Sequence, residues 1–202
     1  MLQRVANYYA DKLERFGSTA AGVDWNSAES QLLRFSQLLR LEPDAGEHSV
    51  NDYGCGYGAL VDYLRARGLA WQYRGFDISD SMIARARLLH HDDPNCSFTA
   101  DEGALSPADY TFASGIFNVT LGHDEGAWKD YVIETLATLN RITRQAFAFN
   151  LLSTYSDPAR RRSDLFYADP LFFFDLCKQR FAPRVALLHD YPLYEFTIVV
   201  RK

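Results

Sequence analysis

The sequence has no uninterrupted apolar run of the roughly twenty residues needed to cross a bilayer, so no membrane span is expected. Its opening, MLQRVANYYADKLERF, is charged throughout and lacks the apolar core of a secretory signal. Cysteine is scarce: Cys55, Cys96 and Cys177 are odd in number, widely spaced and form no CxxC pair. That pattern excludes a disulfide framework and points to a reducing cytoplasmic setting. Basic residues are outnumbered, 21 Lys and Arg against 26 Asp and Glu, and the net charge is −5. No basic stripe runs along a predicted helix, and neutralising nucleic-acid phosphates needs one, so a polyanionic partner is disfavoured. Repeats, low-complexity segments and Pro/Ser-rich linkers are also missing, which leaves 202 residues to be read as one domain.

What is present begins with helix. Leu2, Val5, Ala6, Tyr9, Leu13 and Phe16 recur at three-to-four spacing and form one apolar stripe. After a loop bracketed by Gly17 and Gly22, a second helix is expected from a Ser27 N-cap, with Leu32, Phe35, Leu38 and Leu39 on its apolar face. Pro43-Asp44-Ala45-Gly46 should end it. These first 45 residues read as a helical cap ahead of a core spanning 46–202.

From residue 48 the rhythm becomes short strands alternating with helices. Strands are expected at 48–53, 71–77, 96–100, 109–114 and 145–152, and helices at 59–67, 79–91, 125–143 and 169–180. Repeated strand-helix-strand units imply an α/β fold, a parallel sheet doubly wound by helices on both faces. The tail differs: 185–189 and 195–201 are joined by too few residues for a parallel crossover, so the sheet should end in an antiparallel hairpin.

The chemistry gathers at Asp52-Tyr53-Gly54-Cys55-Gly56-Tyr57-Gly58, the turn from the first strand into its helix. Glycines there allow a sharp turn and the close approach of a ligand. Asp77 ends the next strand, nineteen residues after Gly58, where a carboxylate can accept hydrogen bonds from ribose hydroxyls. Gly54, Gly56 and Ala59 also satisfy the GxGxxA dinucleotide fingerprint, so the glycines alone do not choose a cofactor. Asp52 does: a carboxylate two residues before the first glycine suits an ammonium-bearing ligand and would repel a pyrophosphate. The helical residues ahead of the loop and the terminal hairpin point the same way.

With VNDYGCGYG, then GFDIS followed by Met82, the chain resembles the class I (Rossmann-like) S-adenosylmethionine-dependent methyltransferases over roughly residues 48–202. The resemblance implies a mostly parallel seven-stranded sheet of order 3-2-1-4-5-7-6, its last strand antiparallel. It also implies that Asp52 holds the methionine end, Gly54 and Gly56 pass beneath the cofactor, and Asp77 takes the ribose hydroxyls. Ile78 and Met82 would pack near the adenine. A third acidic position, contacting the adenine amino group, falls on Asp101 or Glu102, with Asp101 preferred. Trp25 either closes over the cofactor or anchors the helical cap. The fourth motif corresponds to 113–118, without the Asn/Asp-Pro-Pro-aromatic sequence of enzymes that methylate nucleic-acid bases.

The acceptor should lie over the carboxyl ends of the fourth and fifth strands, near Asn118 and Tyr155. His123 is the one histidine placed where a base would be useful, although a capping or exposed loop role is the plainer reading. Arg160-Arg161-Arg162 is either a solvated turn or a clamp for an anionic acceptor. His90-His91 ends a helix with no third ligand nearby, so no metal site is expected. The leading expectation is methyl transfer to an oxygen or nitrogen of a small molecule, with S-adenosylhomocysteine as product. The alternatives are an NAD(P)-dependent oxidoreductase and a non-catalytic partner subunit that binds S-adenosylmethionine.

Overall fold

The computed structural model describes residues 2–41, 46–69 and 71–202. Helices α1 (Leu2–Phe16) and α2 (Ala28–Leu38) come first, separated by a 3-10 turn at Ala20–Val23. There follow β1 (Ser49–Tyr53), α3 (Ala59–Ala66), β2 (Gln72–Phe76), α4 (Asp80–Leu89), β3 (Cys96–Thr99), β4 (Ala108–Ala113), α5 (Glu125–Arg141) and β5 (Thr143–Ser153). The chain closes with β6 (Tyr167–Ala168), α6 (Pro170–Arg180), β7 (Arg184–Leu188) and β8 (Glu195–Arg201).

The sheet runs β3-β2-β1-β4-β5-β8-β7, with β8 antiparallel to both neighbours. That is the expected order with one addition: the two-residue β6 pairs in parallel with the end of β5 and shifts the numbering of the last two strands. Such a strand has no periodicity to read and exists only through its partner. The expected end of the second helix falls largely outside the described residues; within them, α2 runs into a 3-10 turn at Leu39–Leu41.

Pleat parity decides what covers each face. Along β5, Phe147, Phe149 and Leu151 join Trp128, Val132, Leu136 and Leu139 of α5 and Phe173 of α6. The small residues Ala146 and Ala148 face the other side, against Phe35 and Leu38 of α2, Leu60 and Leu64 of α3, and Ile83 of α4. The second helix of the expected cap therefore belongs to one of the two helical layers. Phe173, from the Phe172-Phe173-Phe174 run, is core.

Parallel register brings the strand ends to one edge. Asp52 pairs with Gly75 of β2 and Phe112 of β4, so Asp52, Asp77 and Ser114 emerge together at the carboxyl edge beside β1 and β4. This is the switch point of a doubly wound sheet, where ligands bind.

Candidate functional site

A cavity of about 880 Å³, open to solvent, sits on that edge. Its floor is the turn after β1. Gly54 and Cys55 both donate backbone N–H bonds to the Phe76 carbonyl, at 2.7 and 2.9 Å, which clamps the turn onto the end of β2. Gly54 has φ +83°, and a Cβ there would lie 2.1 Å from Ile116 Cγ2. Only glycine fits this position.

Asp77 holds the other side of the turn. Its Oδ2 accepts the Gly56 N–H and its Oδ1 the Ser79 N–H, both at 2.9 Å. Burial raises its pKa against the opposing pull of those two bonds. Asp52 is 3% exposed and accepts a hydrogen bond from the Tyr73 hydroxyl. Burial pushes its carboxyl up to about 7; the Tyr73 bond lowers it and the negative charge of Asp77 raises it further. Two carboxylates, Asp52 buried and Asp77 half-buried, thus border one cavity whose lining, among the described residues, contains no lysine or arginine.

Opposite the glycine turn, Ser114, Gly115 and Ile116 leave β4 and form a second wall. The Ser114 hydroxyl is buried and has no protein partner. Leu2, Val5 and Tyr9 of α1, Val23 and Trp25 of the following turn, and Trp128 and Tyr131 of α5 complete the enclosure. The α1 roof is tied down through Asp24, which accepts bonds from the Tyr8 hydroxyl at 2.7 Å and Lys12 Nζ at 2.6 Å. Arg85 of α4 reaches across to Ser18 at 2.6 Å.

Of the residues expected at the site, Asp52, Gly54, Gly56, Asp77, Ile78, Met82 and Trp25 line this cavity. Asp101, Asn118, His123 and Tyr155 do not. Asp101 is exposed, its carboxylate accepting from the Gly103 N–H as the cap of a short 3-10 turn. Its neighbour Glu102 accepts instead from the hydroxyl of Tyr53, a cavity residue. Asn118 is buried structurally: its side chain accepts the Leu152 N–H and its carbonyl the Phe166 N–H, at 3.2 and 2.8 Å. Tyr155 is 67% exposed and packs on His189. His123 stands beside Trp128, its ring nearly parallel to the indole and its Nε2 buried and unpaired.

Arg161 and Arg162 are engaged locally, with the Ser156 carbonyl and with Asp164, and the arginine run contributes nothing to the cavity lining. No group of three metal-ligating side chains occurs among the described residues. Tyr9, part of the apolar stripe of the first helix, and Trp128 and Tyr131 of α5 line the cavity although no motif in the sequence marks them as site residues. The usable signal was position, since the N-terminal halves of α1 and α5 border the cavity. Ser114, in the fourth motif, carried no individual signal.

A methyltransferase-domain family model matches residues 50–145. A Mycobacterium tuberculosis protein whose name assigns it to the methyltransferases is 49% identical over 164 residues, 81% of this chain and 99% of that protein. Among solved structures, a protein of Pyrococcus horikoshii OT3 superposes with a TM-score of 0.63 at 17% identity, covering 96% of this chain and 98% of its own. Magnesium protoporphyrin IX methyltransferase from Synechocystis, crystallised with S-adenosylhomocysteine, gives 0.60 at 12% identity, with coverages of 86% and 81%. The family match and the 49%-identical relative agree with the strand order and the acidic glycine turn: the chain belongs to the methyltransferases, built on a Rossmann-like fold.

Proposed function

We propose that this chain binds S-adenosylmethionine in the cavity at the carboxyl edge and transfers its methyl group to an oxygen or nitrogen of a small-molecule acceptor. The observation that carries this reading is the pair of carboxylates, Asp52 and Asp77, bordering a cavity that has no cationic side chain among its described lining residues. Such a site favours a ligand carrying positive charge and opposes a pyrophosphate. The unpartnered Ser114 hydroxyl adds a polar contact awaiting a ligand. The residues present therefore suit the methyl donor.

When bound, the donor supplies a methyl on a sulfonium, which passes to an acceptor lone pair as the carbon–sulfur bond breaks. The protein's part is alignment and exclusion of water, worth roughly 7–11 kcal/mol in well-oriented systems. In this arrangement Asp52 holds the ammonium end, and Gly54 and Gly56 give the backbone room beneath the ligand. Asp77 accepts from the ribose hydroxyls, Ile78 and Met82 flank the adenine, and Trp25 closes the far side. Glu102, tied to Tyr53, stands nearer the cavity wall than Asp101 and is the better candidate for the third acidic position. The absence of cationic side chains from the described lining, its two carboxylates and the net charge of −5 favour a small, non-anionic acceptor, and the three free cysteines suit a cytoplasmic setting.

Asp77→Ala tests the cofactor assignment. Losing charge-assisted bonds of about 1.5–3 kcal/mol each should weaken S-adenosylhomocysteine at least roughly tenfold, with the circular dichroism spectrum retained. Unchanged affinity in a folded variant would remove Asp77 from the ribose.

A further inference from the structure

On the face of the sheet covered by α2, five residues form a closed circuit. Arg34 of α2 is 6% exposed and forks onto Glu195 of β8, itself 1% exposed, through Nε to Oε2 at 2.8 Å and Nη2 to Oε1 at 2.6 Å. Glu195 Oε2 also accepts from Asn150 Nδ2 at 2.7 Å, and Asn150 Oδ1 accepts the Gly115 N–H at 2.7 Å. The two partners fix the amide orientation, because only its oxygen can face an N–H and only its NH₂ a carboxylate. Gly115 has φ +74°, and a Cβ there would lie 2.2 Å from Trp25 Cη2 and Cζ2, so the indole edge rests on its backbone. The circuit closes where the Arg34 guanidinium covers the same indole, 3.8 Å from the ring centroid.

Pleat parity assembles this set. Asn150 shares a face with Ala146 and Ala148, and Glu195 with Val199, which is the α2 side. An ion pair so deeply buried is costly to desolvate and is no efficient source of stability compared with apolar packing. Here it has a geometric consequence: both ends of the circuit, Trp25 and Gly115, line the cavity, whereas Arg34, Glu195 and Asn150 do not.

We propose that Arg34, Glu195 and Asn150 are positioning residues that lock Trp25 and the Ser114-Gly115 turn into one rigid wall of the ligand site. The circuit joins α2, β5, β8 and the turn after β4, so the Trp25 turn is held by the sheet and not only by its own helices. The proposal rests on the methyl-donor reading of the cavity.

The test uses the full chain labelled with 5-fluorotryptophan, whose three tryptophans give three fluorine resonances, Trp25 being assigned by Trp25→Phe. Arg34→Lys keeps the charge but loses the planar fork and its stacking. It should shift or broaden the Trp25 resonance, leave those of Trp71 and Trp128 in place, and weaken S-adenosylhomocysteine by about tenfold. If Arg34→Lys does not fold, Arg34→Met with Glu195→Leu removes both buried charges and is expected to give the same signature. A folded variant with an unmoved Trp25 resonance and wild-type affinity would overturn the proposal. So would loss of fold in both variants, which would make the pair structural. Failure of the wild-type chain to bind S-adenosylhomocysteine would instead reject the methyl-donor reading, while the resonance would still report on the circuit.

Discussion

Asp52 is the residue on which charge and function meet most directly. Its carboxyl titrates near 7 in the folded chain, against about 3.9 in an unfolded one. The sign follows from proton counting: between those values the native chain holds a proton that the unfolded chain has released, so this group's contribution to stability falls as pH rises. Above 7 the site carries an ionised, desolvated carboxylate beside Asp77. Under the proposed function, a ligand ammonium stabilises that form and expels the proton on binding. Affinity for S-adenosylhomocysteine should therefore rise between pH 6 and pH 8, with a slope of at most about tenfold per unit, and level off above the Asp52 value. Asp52→Asn should flatten the profile in titration calorimetry. A wild-type affinity independent of pH across this range would detach Asp52 from the methionine end.

Among the elements, α2 matters most because one helix serves both the core and the site. Phe35 and Leu38 pack on the sheet, Arg34 enters the buried circuit, and Gln31 lines the cavity. Its start is set by a capping box in which Ser27 Oγ accepts the Ser30 N–H at 3.1 Å and Ser30 Oγ accepts the Ser27 N–H at 3.3 Å. Ser27→Ala should cost about 1 kcal/mol and lower the melting temperature by roughly 2–4 °C. Scanning calorimetry checks this, and an unchanged melting temperature would mean the cap is dispensable. The Ser27 cap was readable in the sequence because capping is local chemistry. The 3-10 turn at Ala20–Val23 and strand β6 were not, since β6 is held by distant pairing, including Thr154 N–H to the Ala168 carbonyl.

At the scale of the whole molecule, the sheet order and the floor of the site were legible for one shared reason. Consecutive parallel strands end at one edge, so Asp52 and Asp77 had to meet once alternating strands and helices were recognised. The roof of the cavity was not legible, because it depends on how helices and loops from distant positions fold over that edge. Asn118 holds Leu152 through its side chain and Phe166 through its carbonyl, Tyr155 is exposed, and His123 packs beside Trp128. Asp101 became a cap while Glu102 reached toward the cavity through Tyr53. Arg34 and Glu195, 161 positions apart, gave no sequence signal of their pairing. Calorimetric titration of the intact chain with S-adenosylhomocysteine, NAD(H) and NADP(H) in parallel tests the cofactor reading most directly. A methyl-donor site predicts saturable one-site binding of S-adenosylhomocysteine and no detectable binding of either nicotinamide cofactor. Binding of a nicotinamide cofactor without S-adenosylhomocysteine would contradict it.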